Sequence, residues 1–300
     1  MLHDKFEACL LSGAIGDAWG SSLENILVAK ETSTFYLGGR PAPPQHWTIT
    51  DDTQLTLATC EALAAGPFSP EILAEKFLEY YRQKKLTGLG ASTLKAIQER
   101  EAGIHWTQVG HQRHYAAGNG AAMRIAPFAF YSTTTRQTIY DACRITHQND
   151  DAHAGALAVY LSIRAAISCT WNGRNNLIDI ILPELPDTVV KDRLLEINSY
   201  PKNTSITQIA LLGNNGYVVN SIPFAIYCAD KALDLGLANM FQHIVTSGGD
   251  TDTNASIAGQ IAGALIGAEG LPSDLLSKLK LLPEYSWIKD VIETTKATLL

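Results

Sequence analysis

The stretch Ser69-Pro70-Glu71-Ile72-Leu73 shows how this chain begins much of its regular structure. A serine that can cap free N–H groups, a proline at the first helical position and an acid in the first turn are typical of a helix start. Apolar residues then follow at three- and four-residue spacing, which is the period of a helix with one buried face. Similar patterns cover residues 3–18, 52–65, 91–102, 135–146, 152–170, 187–197, 218–235 and 254–268. Because the alternation typical of strands is scarce, the sequence predicts an all-α fold.

The composition indicates one compact multi-helix domain. Hydrophobic residues make up 46% of the 300 residues and charged residues 18%, which is typical of helices that cover one another. The chain exceeds the usual domain size, but no linker interrupts it, so we expect a single domain over residues 1–300. Gly259, Gly263 and Gly267 recur every fourth residue, and we expect them to let a core helix approach its neighbour closely.

Several classes of function are disfavoured by charge and composition. The net charge of −7 argues against a nucleic-acid partner, since phosphate binding needs clustered Lys and Arg. The five cysteines are scattered without CxxC spacing, so we expect reduced, mostly buried thiols rather than disulfides or zinc. No secretory signal is visible, and the longest apolar stretches are interrupted or too short for a bilayer. We therefore expect no membrane association and a cytoplasmic location.

Two acidic clusters stand before helical patterns, and together they predict a cation site. They are Thr50-Asp51-Asp52-Thr53-Gln54 and Ser247-Gly248-Gly249-Asp250-Thr251-Asp252-Thr253-Asn254. Each could serve only as a helix cap, although one Asp suffices for that. Four carboxylates brought together would repel without cations, and hard oxygen ligands suit Mg²⁺ or Mn²⁺. Two divalent cations balance four carboxylates, which favours a paired metal site. A calcium-binding EF-hand loop is excluded, because Ala255 stands where the glycine belongs and Ile261 where the glutamate belongs.

These clusters belong to a series of motifs that resembles the ADP-ribosylglycohydrolases, which include dinitrogenase reductase-activating glycohydrolases and eukaryotic ADP-ribosyl-acceptor hydrolases. The resemblance covers nearly the whole chain. Besides the two acidic clusters, the motifs are Gly13-Ala14-Ile15-Gly16-Asp17-Ala18-Trp19-Gly20 with Glu24, Gly118-Asn119-Gly120-Ala121-Ala122-Met123-Arg124, Thr146-His147 and Gly216-Tyr217-Val218-Val219. Their order and spacing match the family.

The resemblance implies a dinuclear magnesium or manganese centre with six oxygen-bearing ligands. The positions that match the family's ligands are Thr50, Asp51, Asp52, Asp250, Asp252 and Thr253. Glu24 matches an acidic residue that reaches toward the metals or the scissile ribose, so the candidate catalytic residues are Glu24, Asp51 and Asp252. We expect Asp17, in the same motif, to cap or orient a neighbouring loop.

Candidate substrate contacts come from glycine-rich stretches and two ring-bearing residues. Gly118, Asn119 and Gly120 would let backbone N–H groups approach a pyrophosphate, although a plain turn would read the same way. Gly88 and Gly90 offer a similar approach before a helix. The resemblance implies a nucleotide contact for His147; Tyr217 could stack on a base or ribose, or simply pack in the core. The other candidate substrate contacts are Ser247, Gly248 and Gly249.

The implied activity is hydrolysis of the glycosidic bond between ADP-ribose and a protein side chain, which reverses ADP-ribosylation. Arginine is the acceptor that we expect first, but Gly118–Arg124 is closer to the bacterial and serine-directed branches, and the sequence after His147 departs from the family. The linkage therefore stays open. As a mechanism we expect an oxocarbenium-like transition state, with two cations holding ribose hydroxyls or a water, Asp252 bridging or orienting, and Glu24 or Asp51 accepting a proton.

Two alternatives come from other classes of protein. A metal-dependent phosphohydrolase is suggested by Asp250-x-Asp252, but that motif needs a preceding buried strand and a longer downstream domain than the about fifty residues that follow. A non-catalytic protein of the same fold, such as one that gives immunity by occluding an ADP-ribosyltransferase, is the other alternative. The intact Asp and Thr sets favour catalysis.

Overall fold

The structure, a computed structural model, describes residues 2–32, 46–112 and 116–299, and the side chains of residues 2–23, 46–110 and 116–299. Helices dominate these residues. The first eight are α1 (Leu2–Thr32), α2 (Asp51–Ala64), α3 (Pro70–Arg82), α4 (Ala91–Glu101), α5 (Arg136–Arg144), α6 (Asp150–Ile167), α7 (Leu177–Ile181) and α8 (Val189–Asn198). The others are α9 (Ile206–Ala210), α10 (Val218–Asp230), α11 (Ala232–Leu235), α12 (Leu237–Thr246), α13 (Thr251–Ile266), α14 (Ser273–Leu279) and α15 (Tyr285–Leu299).

The described part of the chain contains one sheet, which is a short parallel pair of strands. It joins β1 (His111–Gln112) to β2 (His147–Gln148), with His111 opposite His147. The prediction of an all-α fold is confirmed. The helix start at residue 69 is also as predicted, since the Ser69 hydroxyl accepts hydrogen bonds from the backbone N–H groups of Glu71 and Ile72.

The predicted helices occur, but some boundaries differ. Helix α1 continues well past residue 18, and the stretch 218–235 is divided into α10 and α11. Helices α7, α9, α12, α14 and α15 were not predicted. Of these, α12 begins after Gly236, whose φ of 76° takes the chain out of α11 and into a new direction. Such a left-handed residue marks a boundary that apolar spacing does not reveal.

Helices α1 and α13 cross at very short range in the core. A Cβ atom on Gly259 would lie 2.4 Å from the Ser12 carbonyl oxygen, and one on Gly263 would lie 2.3 Å from that of Ala8. The predicted close approach is therefore confirmed at these two glycines. Gly267 differs: it ends α13 with φ 73°, so its main role is to terminate the helix.

The same crossing places the start of α13 against the middle of α1. A Cβ atom on Gly16 would lie 2.2 Å from the Ala255 carbonyl oxygen, and one on Gly20 would lie 2.4 Å from Cα of Asp252. Both gaps are far below van der Waals contact, so a larger residue would force the helices apart. The glycines of the first motif thus bring Asp252 beside α1.

Four of the five cysteines are buried and all five are free, while Cys169 is exposed. The expectation that the thiols are mostly buried is therefore confirmed, and Cys169 is the exposed one. Among the residues that the structure describes, no helix combines the length and the apolar character needed to cross a membrane.

Candidate active site

Three carboxylates from distant parts of the chain meet at the beginning of α2. Oxygen atoms of Asp17, Asp52 and Asp252 all lie within 4.8 Å of one another, and all three side chains are buried. The Thr253 hydroxyl donates a hydrogen bond to Oδ2 of Asp52 at 3.1 Å. The two acidic clusters of the sequence therefore face each other, as predicted.

Asp17 holds the N-terminus of α2 in place. Its carboxylate accepts hydrogen bonds from the Thr50 N–H at 3.0 Å, the Thr50 hydroxyl at 2.8 Å and the Thr53 N–H at 3.1 Å. The Thr53 hydroxyl also donates to Oδ2 of Asp17. Both carboxylate oxygens are thus engaged by the helix start, which they complement electrostatically. The predicted structural role of Asp17 is confirmed.

Asp52 carries the most informative atom of the cluster. Its Oδ2 accepts a hydrogen bond from the Thr253 hydroxyl, and the Thr50 hydroxyl, whose proton is donated to Asp17, lies 3.4 Å away. Its Oδ1 is buried and has no hydrogen-bond partner in the described part of the chain. Buried polar atoms are nearly always satisfied, and a bare carboxylate oxygen is more costly to bury than a neutral group. Oδ1 of Asp52 therefore requires a proton or a cation.

The electrostatics of the cluster also indicate that it needs a proton or a cation. Burial and the neighbouring carboxylates raise the pKa of Asp17 to about 7, and they raise the pKa values of Asp51 and Asp52 well above the ordinary value. Among the described residues, no Lys, Arg or His forms a salt bridge with Asp52 or Asp252. Like charges gathered in a poorly solvated place favour protonation unless a cation replaces the proton.

The cluster lies on the wall of a cavity of about 1160 Å³. All six residues predicted as metal ligands line it: Thr50, Asp51, Asp52, Asp250, Asp252 and Thr253. Ligand pockets usually enclose roughly 300–1,000 Å³. The cavity is therefore large enough for a nucleotide-sized ligand beside the carboxylates.

Six of the predicted substrate contacts also line the cavity, and three do not. The lining includes Gly90, Gly118, Asn119, Gly120, His147 and Gly249. Tyr217 lies beside the cavity: it is 42% exposed, precedes α10 and forms an isolated antiparallel bridge with Gly118. Ser247 ends α12, where its hydroxyl donates to the His243 carbonyl, and Gly248 follows it outside the lining. The side chain of Glu24 lies outside the described residues.

A chain of hydrogen bonds positions the carboxylate of Asp250. Nδ2 of Asn119 donates to Oδ2 of Asp250 at 2.6 Å and to Oγ of Ser221 at 3.0 Å. Oγ of Ser221 in turn donates to Oδ1 of Asn254 at 2.8 Å, and Nδ2 of Asn254 donates to the Asn214 carbonyl at 2.6 Å. Asn119 was predicted as a substrate contact, whereas the structure gives it a further role in orienting Asp250.

Two loops complete the cavity. Gly248 and Gly249 both have left-handed backbones, with φ 70° and 77°, and a Cβ atom on Gly249 would lie 2.3 Å from Oδ1 of Asn214. Gly88, with φ 78°, lies against the other wall, and the N–H of Gly90 hydrogen-bonds the Asp51 carboxylate. Both loops need glycine, because another side chain would be strained or would collide.

Several lining residues escaped the sequence analysis. They include Ser21, Thr48, Thr87, Ser92, Thr93 and Asn215. Ser21 and Thr93 stand on helix faces, where a polar residue is ordinarily read as exposed. In the sequence, the signal that could have identified them was a short polar residue inside an otherwise apolar helix face.

A sequence model of the ADP-ribosylglycohydrolase family matches residues 1–299. This chain belongs to the ADP-ribosylglycohydrolase family. Among its relatives, the ADP-ribosylarginine hydrolase Tri1 of Serratia proteamaculans is 27% identical over 92% of this chain and 75% of its own length. The ADP-ribosylhydrolase ARH3 of Gallus gallus is 24% identical over 89% of this chain and 87% of its own.

A solved structure, titled an ADP-ribosylglycohydrolase-related protein complex, has the same fold. Its TM-score is 0.69 at 23% sequence identity, and the match covers 100% of this chain and 99% of the other. The resemblance drawn from the motifs is thus confirmed. Membership of this glycohydrolase family and the names of the relatives support an ADP-ribosyl hydrolase. The strand that the phosphohydrolase alternative requires does not occur, because Asp250 lies between α12 and α13.

Proposed function

We propose that this chain is a metal-dependent hydrolase that cleaves the glycosidic bond between ADP-ribose and a modified protein side chain, with arginine as the acceptor. The observation that carries the proposal is Oδ1 of Asp52, a buried carboxylate oxygen without a partner in the described residues, at the wall of a nucleotide-sized cavity. A divalent cation is the group that would satisfy it.

The residues fit two Mg²⁺ or Mn²⁺ ions. The six candidate ligands, Thr50, Asp51, Asp52, Asp250, Asp252 and Thr253, offer only oxygen atoms, the donors that these hard cations prefer. Four of them are carboxylates, whose charge two divalent cations balance. When bound there, the cations would polarise ribose hydroxyls and lower the pKa of a water.

The cavity residues divide the remaining work between binding and proton transfer. The backbone of Gly118 and Gly120 and the start of α4 at Ala91 offer N–H groups to a pyrophosphate. Asp252 would orient the ribose, and the carboxylate cluster would stabilise the positive charge that develops on the sugar ring. Asp51, whose pKa burial raises, is the proposed proton acceptor, and Glu24 is the second candidate.

Arginine is proposed first because one of the relatives is named an ADP-ribosylarginine hydrolase. The test incubates the protein with substrates ADP-ribosylated on Arg, Ser or Asp/Glu, with Mg²⁺, Mn²⁺ or EDTA. Released ADP-ribose is measured by mass spectrometry. We expect intact ADP-ribose from the arginine substrate with a divalent cation and none with EDTA. Release of free phosphate would instead support a phosphohydrolase.

Three variants make the test specific. Asp51→Asn and Asp252→Asn each remove a cavity carboxylate, and we expect turnover to fall by about 100-fold or more, because loss of even a supporting group costs about 10- to 100-fold. Asp230→Asn is the matched control: it alters a largely buried carboxylate that bonds to Trp171 and the Leu177 N–H, outside the cavity lining. Wild-type turnover in both cavity variants would overturn the metal-centre proposal.

We also propose that residues 1–300 form one domain and act in the cytoplasm. The family match over residues 1–299 and the packing of α15 against α2 support the first point. A single unfolding transition in calorimetry is the expected result, and two separate transitions would contradict it.

A further inference from the structure

Arg124 is a buried cation behind the cavity wall. It is 2% exposed, and its guanidinium lies over the ring of Phe77 at 4.9 Å. Nη1 donates to the Gly120 carbonyl, and Nη2 donates to the Thr146 hydroxyl at 2.7 Å. Arg124 therefore connects the glycine loop of the cavity to the residue before His147.

The Thr146 hydroxyl is in turn 2.7 Å from Nδ1 of His147. This hydroxyl is fully buried. A guanidinium can only donate, so one lone pair of Thr146 Oγ1 is already taken by Arg124. The hydroxyl has a single proton, and its hydrogen bonds in the described part of the chain offer it one acceptor, Nδ1 of His147. The proton of Thr146 therefore points to Nδ1.

We propose that Arg124 is a positioning residue that acts through the Thr146 hydroxyl to hold His147 in the tautomer with its proton on Nε2. If Nδ1 accepts a hydrogen bond, a neutral imidazole must carry its proton on Nε2, because the tautomer is set by the bond that the other nitrogen makes. Arg124 donates to one side of Oγ1, so the hydroxyl proton cannot turn to that side, and Nδ1 is the acceptor that its bonds in the described residues offer it. Neither Arg124 nor Thr146 lines the cavity.

The side of the ring that carries Nε2 lies at the cavity wall. A Cβ atom on Gly118 would lie 3.2 Å from Nε2, and one on Gly120 would lie 2.9 Å from Cε1 of the same ring. The ring is thus held between the two glycines proposed to face a pyrophosphate. His147 presents an N–H donor at this wall, which suits an oxygen acceptor such as a phosphate. The identity of that ligand rests on the proposed function, whereas the tautomer does not.

The test reads the tautomer directly in the ligand-free protein. Imidazole nitrogens are observed by ¹H–¹⁵N NMR at about pH 8, above the ordinary histidine pKa, and His147 is assigned from the signals that disappear in His147→Gln. Wild-type protein is expected to show a protonated Nε2 and a bare Nδ1. Thr146→Val removes the donor while keeping the shape, and both signals should move to values typical of mixed tautomers. Thr146→Ser should restore the wild-type pattern.

Two further variants separate the relay from general effects on packing. Arg124→Met removes the donor from one side of Thr146 Oγ1, so the hydroxyl proton can turn to that side and Nδ1 can carry a proton instead, and we expect mixed tautomers there also. If Arg124→Met does not fold, Thr146→Val carries the test. Thr295→Val is the control, since it removes a buried hydroxyl that donates to the Val291 carbonyl and interacts with Cys60 but has no bond to Arg124, Thr146 or His147, and His147 signals should not move.

Binding of ADP-ribose provides a second readout. Leaving Nδ1 of His147 without its donor should weaken binding by about tenfold in Thr146→Val, with recovery in Thr146→Ser and no change in Thr295→Val. A wild-type spectrum with the proton on Nδ1, or unchanged His147 signals in Thr146→Val, would overturn the inference. Failure of the wild-type protein to release ADP-ribose would overturn the proposed function but not the tautomer.

Discussion

Two regions of this molecule bury carboxylates, one partly and one almost fully, and they solve the resulting electrostatic problem in opposite ways. Glu7 on α1 forms salt bridges with Lys289 at 2.7 Å and Lys296 at 2.8 Å on α15. Burial alone would raise the pKa of Glu7, but the hydrogen bonds and charges of the two lysines outweigh it and lower that pKa. In the cavity, burial raises the pKa values of Asp17, Asp51 and Asp52, and neighbouring carboxylates raise them further.

The difference shows in which region the protein itself supplies the counter-charges. Glu7 receives its counter-charges from the protein, so its ion pairs need nothing from solution. The cavity carboxylates receive hydroxyl and backbone hydrogen bonds but no salt bridge from the described residues to Asp52 or Asp252. A group of like charges left in that condition binds protons or cations. The comparison can therefore be tested by changing pH, cations and single residues.

The largest expected effect is a pH dependence of opposite sign in the two regions. The pKa of Asp17 rises from 3.8 to about 7 on folding, so the folded state retains a proton that the unfolded chain loses. One unit of pKa difference corresponds to about 1.4 kcal/mol, so Asp17 alone would change stability by on the order of 4 kcal/mol. In EDTA, the free energy of unfolding should therefore fall as pH rises from about 4 to about 7.

Glu7 works in the other direction and in another pH window. Its pKa is lowered from 4.5, so its contribution is present above that value and is lost as pH falls through the folded pKa.

Urea unfolding at about pH 5 and about pH 7.5, in EDTA and in saturating Mg²⁺, measures the cavity effect. We expect Mg²⁺ to remove the fall. A free energy of unfolding in EDTA that rose steadily across this interval would contradict the electrostatic account of the cavity.

The next effect is stabilisation by divalent cations. A cation that binds only the folded protein stabilises it by about 2.7 kcal/mol at 100 times its Kd. Thermal unfolding with increasing Mg²⁺ or Mn²⁺ should show this shift in wild-type protein and in Asp230→Asn. Asp252→Asn should lose it. An equal shift in Asp252→Asn would place the cation elsewhere in the molecule.

A smaller effect is expected from Asn119, which orients Asp250 through its side-chain amide. Asn119→Ala removes that hydrogen bond without changing a charge. Groups that orient metal ligands contribute about 10- to 100-fold to cation affinity, and we expect the lower end, about tenfold, measured by calorimetric titration of Mn²⁺. Asn220→Ala, in the first turn of α10 and bonded to Asn215 rather than to Asp250, should leave the affinity unchanged. An unaffected Asn119→Ala would show that Asp250 is held without the network.

The smallest effect is expected at Glu7, whose counter-charges come from the protein itself. Glu7→Gln leaves two lysines without their shared partner, but the pairs are partly solvated, and such pairs contribute about 1 kcal/mol or less. Urea unfolding at neutral pH should show this loss, with no response to Mg²⁺ beyond that of wild type. Asp52→Asn in EDTA should instead leave stability unchanged or increase it, because it removes an uncompensated charge. A greater loss in Asp52→Asn than in Glu7→Gln would reverse the comparison.

Much of this architecture was accessible from the sequence, because its signals are local. The Ser69 cap and the acidic starts of α2 and α13 depend on residues a few positions apart, so they are visible without knowledge of the fold. The order of the motifs indicated the family, and charge repulsion indicated that the two Asp clusters need cations. These statements follow from composition, spacing and the chemistry of carboxylates.

The tertiary structure decided what depends on contacts between distant residues. Asn119 and Asp250 are 131 residues apart, and nothing local shows that one orients the other. The exposure of Tyr217 beside the cavity and the relay from Arg124 through Thr146 to His147 likewise depend on which elements pack together. Helix starts are set by backbone groups within one turn, whereas the direction of a buried proton or carboxylate is set by whatever the packed core places opposite it.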